Sequence, residues 1–363
     1  MAHWDEAERH DVDAGTIAGV WRDLGEAAGS VDVGLCRIEV RPGAQSTPAH
    51  RHGAEEEIFV VLGGSGWSWQ DDLTYTVGPG DVLVHLAAEE VHTLLAGPDG
   101  LDVLAFGPRI LEEATHLPRA GVVRIQNTWV LDAGPPEPYE RESAAGPIDP
   151  GTPEERRPST IVRISDVAAD AEARDGYRGE DRDLGRAAGS RATGLRHVVL
   201  EPGQMSCPPH HHSAEEELFV VLDGTGELQL YDNGAQLVDR TALRAGSIVS
   251  RPAGTGMAHA LVAGDDGLTY LAYGTRDPNE IVFYPRSRKA WLGRVMVRLD
   301  PAGDYWEGEE CPAARRRWGG GPARLNPPHP SNPLRKTAGK PALRPLPRRC
   351  RRPAAAAGRL RGP

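Results

Sequence analysis

An internal repeat constrains this chain more than any other feature. Residues 23–66 and 183–226 align without a gap at an offset of 160, and about 25 of the 44 positions are identical. DLGEAAGS is answered by DLGRAAGS, and HRHGAEEEIFVVLGGSG by HHHSAEEELFVVLDGTG. The match runs on through Gly80-Asp81 and Gly246-Ser247, His92 and His259, and Phe106-Gly107-Pro108-Arg109 and Tyr273-Gly274-Thr275-Arg276, the offset drifting to 167. A duplicated unit of this size folds twice, so residues 1–131 and 160–310 are expected to form two domains of one kind. Residues 132–159, rich in Pro, Gly and Glu without apolar periodicity, are expected to be a linker.

Each copy reads as all-β. Leu35 to Val40, Ile58 to Leu62, Asp81 to Leu86 and Leu101 to Phe106 are short, rich in Val, Leu and Ile, and bounded by glycine-containing turns. No segment carries a long 3.6-period apolar stripe, so helix is expected to be minor. The Trp129, Trp291 and Trp306 segments lie outside the repeat cores and are candidates for packing one domain on the other.

The net charge of −11 conceals two opposite regions. Residues 311–363 hold 14 of the 41 Lys and Arg, none of the 52 Asp and Glu, and 11 of the 31 Pro, which leaves residues 1–310 at −25. So acidic a body repels phosphate backbones, and nucleic-acid binding by the globular part is not expected. The basic tail cannot bury enough apolar surface to offset its ordering entropy and is expected to be disordered. Arg/Pro/Ala/Gly strings also arise when a GC-rich gene is read out of frame, so a non-native end is the other reading. Cys36, Cys207, Cys311 and Cys350 lack CxxC spacing, which argues against a disulfide framework or a zinc ribbon. No apolar run approaches a membrane span, and the first residues resemble neither a signal core nor a transit peptide, so a cytoplasmic, membrane-free protein is expected.

One four-residue set occurs in both copies: His50, His52, Glu57 and His92, then His210, His212, Glu217 and His259. A His-x-His pair on a strand presents two imidazoles to one face. Glu57 shares strand parity with Phe59 and Val61, and Glu217 with Phe219 and Val221, which places each carboxylate on a face that also carries apolar groups. A carboxylate buried beside three imidazoles calls for a compensating cation. Nitrogen and oxygen donors of this kind suit Mn, Fe, Co, Ni, Cu or Zn, with up to two metals per chain. The bland alternative, separate surface or core histidines, weakens because the whole set recurs while neighbours such as Arg51 and His211 vary. Glu55 and Glu56 recur too. Glu57 and Glu217 are preferred because each directly precedes the apolar run, and Glu56 is expected to face outward if the strand has already begun.

The strings PGAQSTPAHRHGAEEEIFVVLGGSG and PGQMSCPPHHHSAEEELFVVLDGTG resemble the first motif of the cupin superfamily, with Gly64 and Gly224 at its closing glycine. The second motif resembles GSIVSRPAGTGMAHALV, where Gly246, Pro252, Gly254 and His259 fit with two extra residues before the histidine. GDVLVHLAAEEVHTL is weaker, with Leu86 and Ala88 for the proline and glycine. Neither copy has the motif's final Asn. The ending GTRDPNEIVFYPRS is similar to that of bacterial two-domain cupins. The resemblance covers about residues 1 to 310 and implies two tandem double-stranded β-helix (jelly-roll) barrels, each holding a metal by three His and one Glu.

Cupins include isomerases, dioxygenases, decarboxylases, sugar-binding and storage proteins, so the fold leaves the reaction open. Oxalate-handling cupins carry an arginine three residues before the first histidine, where this chain has Thr47 and Cys207, and that disfavours oxalate chemistry. One reading is a metal-dependent enzyme on a small molecule, of oxygenase, decarboxylase or isomerase type, with Thr47 and Cys207 lining the pocket. The other is a non-catalytic module that binds or senses a sugar or small acid. Purely structural metals fit less well, because structural sites are usually closed and Cys-rich. His85 and Arg251, at equivalent positions before a turn, are expected to be exposed strand ends. A homodimer is plausible for a chain that already mimics a dimer of single barrels.

Overall fold

The computed structural model describes residues 1–125, 128–131 and 138–299. Two eight-stranded antiparallel sheets dominate. The first runs in the order Ile161–Arg163, Asp81–His85, Glu57–Gln70, His92–Pro108, Val33–Val40, Ile17–Asp23, Arg9–Ala14, with Leu73–Val77 paired beside Glu57–Gln70. The second repeats it as Ala2–His3, Ser247–Arg251, Glu217–Tyr231, Ala258–Thr275, Thr193–Leu200, Tyr177–Asp183, Asp170–Arg174, with Leu237–Arg244 beside Glu217–Tyr231. Each sheet curls into a jelly-roll barrel, and the helices are short, as the sequence led one to expect.

The strands foreseen at Ile58 to Leu62 and Leu101 to Phe106 are parts of much longer ones. These stay paired through two register shifts, between Val61 and Gly63 and between Gly64 and Gly66. Bulges of this kind bend a strand and let it serve both halves of a barrel. Gly64 is needed there: its φ is +75°, and a Cβ would stand 2.2 Å from the Gly100 carbonyl oxygen. Gly224 repeats the device against Gly267.

The barrels exchange their outermost strands. Ala2–His3 pairs with Ser247–Arg251 of the second barrel, and Ile161–Arg163 pairs with Asp81–His85 of the first. Both barrels lie in one compact unit, Met1–Leu299. Alternation along the motif strand serves two cores at once. Phe59 and Val61 point into the first barrel's own interior, whereas Ile58 and Val60 join Leu35, Phe106, Leu218, Val220 and Tyr273 in a core shared between the barrels. At its centre Phe106 stacks on Tyr273 with ring centroids 5.1 Å apart.

Neither of the two described tryptophans expected at this junction lies there. Trp129 packs on Leu117, Ala120 and Val122 in a local hairpin, Trp291 is exposed, and Trp306 lies outside the described residues, as does the basic tail. Part of the expected linker is ordered. Pro138–Ala144 is helical, and its fully buried Glu142 accepts hydrogen bonds from Arg119 Nε at 2.7 Å and Gln45 Nε2 at 3.2 Å.

Glu56 does not face outward. The strand begins one residue later, at Glu57, so Glu56 is free of the strand's alternation and turns into the other barrel. There it accepts hydrogen bonds from the hydroxyls of Ser190 and Thr193 and from Arg191 N at 2.8 Å. Glu216 returns the contact, accepting from Val31 N at 3.0 Å, Asp32 N and, within its own barrel, Ser250 Oγ at 2.7 Å. The middle glutamate of each EEE triplet thus ties its barrel to the turn after the other's short helix.

Candidate metal centres

Backbone pairing sets the two clusters. His50 and His92 exchange both backbone hydrogen bonds, at 3.0 and 2.8 Å, and His210 and His259 do the same at 3.2 and 2.8 Å. Each first histidine therefore lies beside the third across the ladder, with ring centroids 4.6 and 4.9 Å apart. His52 and His212 follow two residues on, their rings 4.9 and 5.0 Å from those of His50 and His210. The first residue of the motif strand completes each set. Glu57 Oε2 lies 3.5, 3.6 and 3.0 Å from Nε2 of His50, His52 and His92. Glu217 Oε2 lies 3.7, 3.1 and 2.9 Å from Nε2 of His210, His212 and His259. The four residues of the first barrel form one close group, and in the second His210, Glu217 and His259 do so, with His212 joined to them through Glu217. Glu55 and Glu215 point away, accepting from Ile110 N and Asp277 N.

The inward atoms are short of partners. His52 Nε2, His212 Nε2, His259 Nε2 and Glu217 Oε2 are buried and make no hydrogen bond. Meanwhile the outward nitrogens of the first histidines find acceptors: His50 Nδ1 donates to Pro48 O at 2.8 Å and His210 Nδ1 to Pro208 O at 3.0 Å. Protonation at Nδ1 leaves the Nε2 lone pairs aimed at the cluster centre, the arrangement a metal requires. A divalent cation at either centre would resolve the unpaired atoms, so these residues fit one.

Electrostatics divide the imidazoles of the bare clusters: His92 and His259 are lowered by burial, whereas His52, His210 and His212 are raised by their acidic neighbours. Burial opposes ionisation of Glu57 and Glu217, but the three imidazoles around each carboxylate outweigh it and hold both carboxyls well below the usual range. Burial pushes His259 down to about 4 against the pull of Glu217, so its imidazole stays neutral. His52 goes the other way: burial would lower it, but Glu113 and Glu57 raise it to about 10.

Glu113 and Glu280 escaped the sequence reading. Glu113 Oε1 accepts from His52 Nδ1 at 3.2 Å, and its two oxygens take the backbone amides of Gly53, Ala54 and Glu55. Glu280 Oε1 lies 3.3 Å from His212 Nδ1 and its carboxylate takes the amides of Ser213, Ala214 and Glu215. Burial opposes the charge on Glu113, yet His52 and those amides bring its pKa down to about 2. The two glutamates stand 167 residues apart, the offset of the second half of the repeat, so the signal was present but unread. Carboxylates behind a ligating imidazole fix its tautomer, and losing one typically costs 10–100-fold in metal affinity. Glu113→Gln and Glu280→Gln are each expected to weaken metal binding by about 30-fold at the matching centre only, read by competition with a chromophoric chelator. Unchanged affinity in both would remove this role.

His85 and Arg251 are not exposed ends. His85 is 2% exposed, donates from Nδ1 to Glu90 Oε1 at 2.7 Å and stacks on His92 with centroids 3.8 Å apart. Its strand is internal to the sheet, covered by Ile161–Arg163, and the register sets it opposite Glu57. Arg251 holds the same place opposite Glu217; it is half-buried and donates to Met257 O at 3.0 Å.

Thr47 Oγ1 and Cys207 Sγ each lie 3.5 Å from Nδ1 of the first histidine, behind the ring. Cys207 also lines a cavity of about 340 Å³ that His210, Glu217 and His259 line as well. Among the described residues, no helix is long and apolar enough to cross a membrane.

A family model described as Cupin domain matches residues 36–97 and 196–272. No curated protein matches the chain. Solved structures similar to it include Lactobacillus farciminis oxalate decarboxylase in a formate complex, 16% identical over 76% of this chain and 85% of that one, with a TM-score of 0.51. Bacillus subtilis oxalate decarboxylase, in a study of its Mn(II) centres, is 16% identical over 76% of both chains with a TM-score of 0.51. The Bacillus subtilis enzyme at pH 4.6 is 16% identical over 76% of this chain and 75% of that one, again with a TM-score of 0.51. At this identity the likeness is one of fold.

Proposed function

The chain is a two-domain cupin, and on that premise we propose that it is a metal-dependent enzyme acting on a small molecule, of oxygenase, decarboxylase or isomerase type. The observation that carries this reading is the convergence of His50, His52, Glu57 and His92 in the first barrel and of His210, Glu217 and His259 in the second, where His212 Nε2 also reaches Glu217 Oε2 at 3.1 Å, with several of these atoms buried without partners. His50, His52, Glu57 and His92 would hold one metal, and His210, His212, Glu217 and His259 a second. Three imidazoles and one carboxylate suit Mn, Fe, Co, Ni, Cu or Zn. Such a metal, when bound, supplies a Lewis acid with one or two positions left for substrate. The chain's own part is to aim the imidazoles, His52 through Glu113 and His212 beside Glu280, and to shelter the centre from bulk water. The arginine by which oxalate-handling cupins grip their substrate is absent, Thr47 and Cys207 standing in its place, and oxalate is not the substrate proposed.

The test is turnover. Metal-loaded full chain is incubated with pools of small molecules, following dioxygen uptake, carbon dioxide release and isomer formation, with a His50→Ala, His210→Ala double variant as control. Conversion lost in that variant supports an enzyme. Ligand retained without conversion transfers the protein to binding or sensing.

Metal uptake is expected to depend on pH with a definite sign. His52 of the metal-free chain keeps its proton up to about 10, and a ligating Nε2 must give one up. Affinity at the first centre should therefore rise by up to about tenfold per pH unit between 7 and 9, with about one proton released per metal. Calorimetry in buffers of different ionisation enthalpy counts that proton. Binding that neither releases a proton nor tightens with pH would contradict ligation by His52.

A further inference from the structure

The two centres agree in their candidate ligands and in the acids behind them, and differ on the strand that flanks the motif glutamate. Glu55 and Glu113 attend His52, and Glu215 and Glu280 attend His212. Beside them the register sets His85 opposite Glu57 but Arg251 opposite Glu217. Side chains directly opposite in an antiparallel pair share a face, so both project toward their cluster. The stack of His85 on His92 shows how far that position reaches, and Arg251 lies close enough to Glu217 and His259 for its charge to act on both.

What the second barrel lacks is the counter-charge. His85 has Glu90 at 2.7 Å, two residues before the third histidine. The residue two before His259 is Met257, and from Pro252 to Ala258 there is no acid at all. Arg251 donates to the Met257 carbonyl, its Nε is buried without a partner, and among the described residues it forms no ion pair. Glu217, the acid whose charge reaches it, is already drawn on by three imidazoles. Burial works against a lone guanidinium, and an anion that can reach it offsets the cost. A divalent cation at the centre tilts the balance further, since this position adds a positive charge in the second barrel and no net one in the first.

Arg251 stays partly exposed, and the loop after it is exposed at Gly254 and Thr255, so a small anion has access. A carboxylate fits the fork of a guanidinium through paired, charge-assisted hydrogen bonds. Glu217 pairs with Arg251 on one side and with Gly274 on the other, and Tyr270 and Ala272 of that second strand line the cavity of about 340 Å³. The guanidinium and the cavity thus flank the centre from two sides.

We infer that Arg251 is an anion-recognition residue of the second centre, and that the ligand taken there is a small organic acid bound through its carboxylate. The residue stands on a different strand from the position, here Cys207, where oxalate-handling cupins carry their arginine. This rests on the metalloenzyme reading above and adds to it a recognition residue and the charge class of the substrate.

Full-length His50→Ala protein isolates the second centre and His210→Ala the first. The manganese affinity of each is read from the magnetic resonance signal of free Mn(II), without additive, with acetate, and with acetamide as its neutral isostere, at constant ionic strength. In His50→Ala protein saturating acetate is expected to tighten manganese by about tenfold and acetamide by less than about twofold, because two ligands that favour each other's binding do so reciprocally. In His210→Ala protein the acetate effect should stay within about twofold. Added to His50→Ala, Arg251→Leu should abolish the acetate effect and by itself tighten manganese about fivefold, as loss of a neighbouring like charge predicts. Arg251→Lys should keep part of the acetate effect. Met257→Glu supplies the missing acid and should cancel the effect with Arg251 in place, which covers the case of an Arg251→Leu protein that misfolds. An acetate effect that survives Arg251→Leu or Met257→Glu, one matched by acetamide, one equal at the two centres, or none at the second centre overturns the inference while the metal reading stands. Absence of manganese from every protein overturns both.

Discussion

Chain purified without chelator or affinity metal is expected to carry about two equivalents of one transition metal, and His50→Ala and His210→Ala should each remove one. The expectation follows from geometry. In each barrel the carboxylate oxygen meets three imidazole Nε2 atoms at 2.9–3.7 Å, and removing the first histidine leaves three donors and an unmatched gap beside the third. Elemental analysis reads the loss directly, and thermal unfolding reads it a second way. A metal held at 100 times its Kd stabilises the folded state by about 2.7 kcal/mol, so each variant should melt lower than the parent by the share its centre contributes. Iron would point toward dioxygenase chemistry, manganese or nickel to a wider set of reactions. Both metals lost in either single variant would show the centres to be coupled, against two independent sites. No metal in any sample, and none taken up on addition, would remove the enzyme reading altogether.

Glu216→Ala is expected to destabilise the protein by about 3 kcal/mol without touching a candidate ligand. Glu216 is fully buried, and its loss strands the amides of Val31 and Asp32 in the other barrel together with the Ser250 hydroxyl. A stranded buried donor costs about 1–3 kcal/mol; Ser250 is buried, whereas Val31 and Asp32 are exposed residues whose amides water can partly satisfy. Glu56→Ala, its counterpart, strands the Ser190 and Thr193 hydroxyls and the Arg191 amide and should cost about as much. Urea unfolding measures both, with exposed Glu112→Ala as a control expected within about 0.5 kcal/mol of the parent. Since these contacts join the barrels, the variants should also broaden or split the unfolding transition as the barrels uncouple. A single unshifted transition in both variants would reduce these glutamates to incidental contacts.

The glutamate triplets show where sequence reasoning stops. Parity along Glu57, Phe59 and Val61 pointed that carboxylate inward, because alternation holds once a strand has begun. The same rule sent Glu56 outward and failed, because the strand starts at Glu57 and the residue before it obeys a turn. His85 misled for a related reason. A residue at a strand end looks exposed until one knows that Ile161–Arg163, contributed by the second half of the chain, covers that edge. Glu113 and Glu280 preserve the repeat's offset but fall outside any local motif, and only the folded chain sets them behind the second histidines.

What the sequence determined by itself was the part written in short-range order: two copies of one all-β unit, turns at their glycines, and one histidine and glutamate set repeated at matching positions. Those features are periodicities and spacings, and a linear chain displays them directly. Tertiary structure alone decided which strands the barrels exchange, which glutamates bind them together, and that Trp21 joins one interior cluster while its counterpart Asp181 pairs with Arg196. These depend on side chains brought together across long stretches of chain, as Ile161 meets Leu83 and Glu216 meets Val31. Packing and pairing at such separations leave no period in the sequence, so they become visible only when the chain has closed on itself.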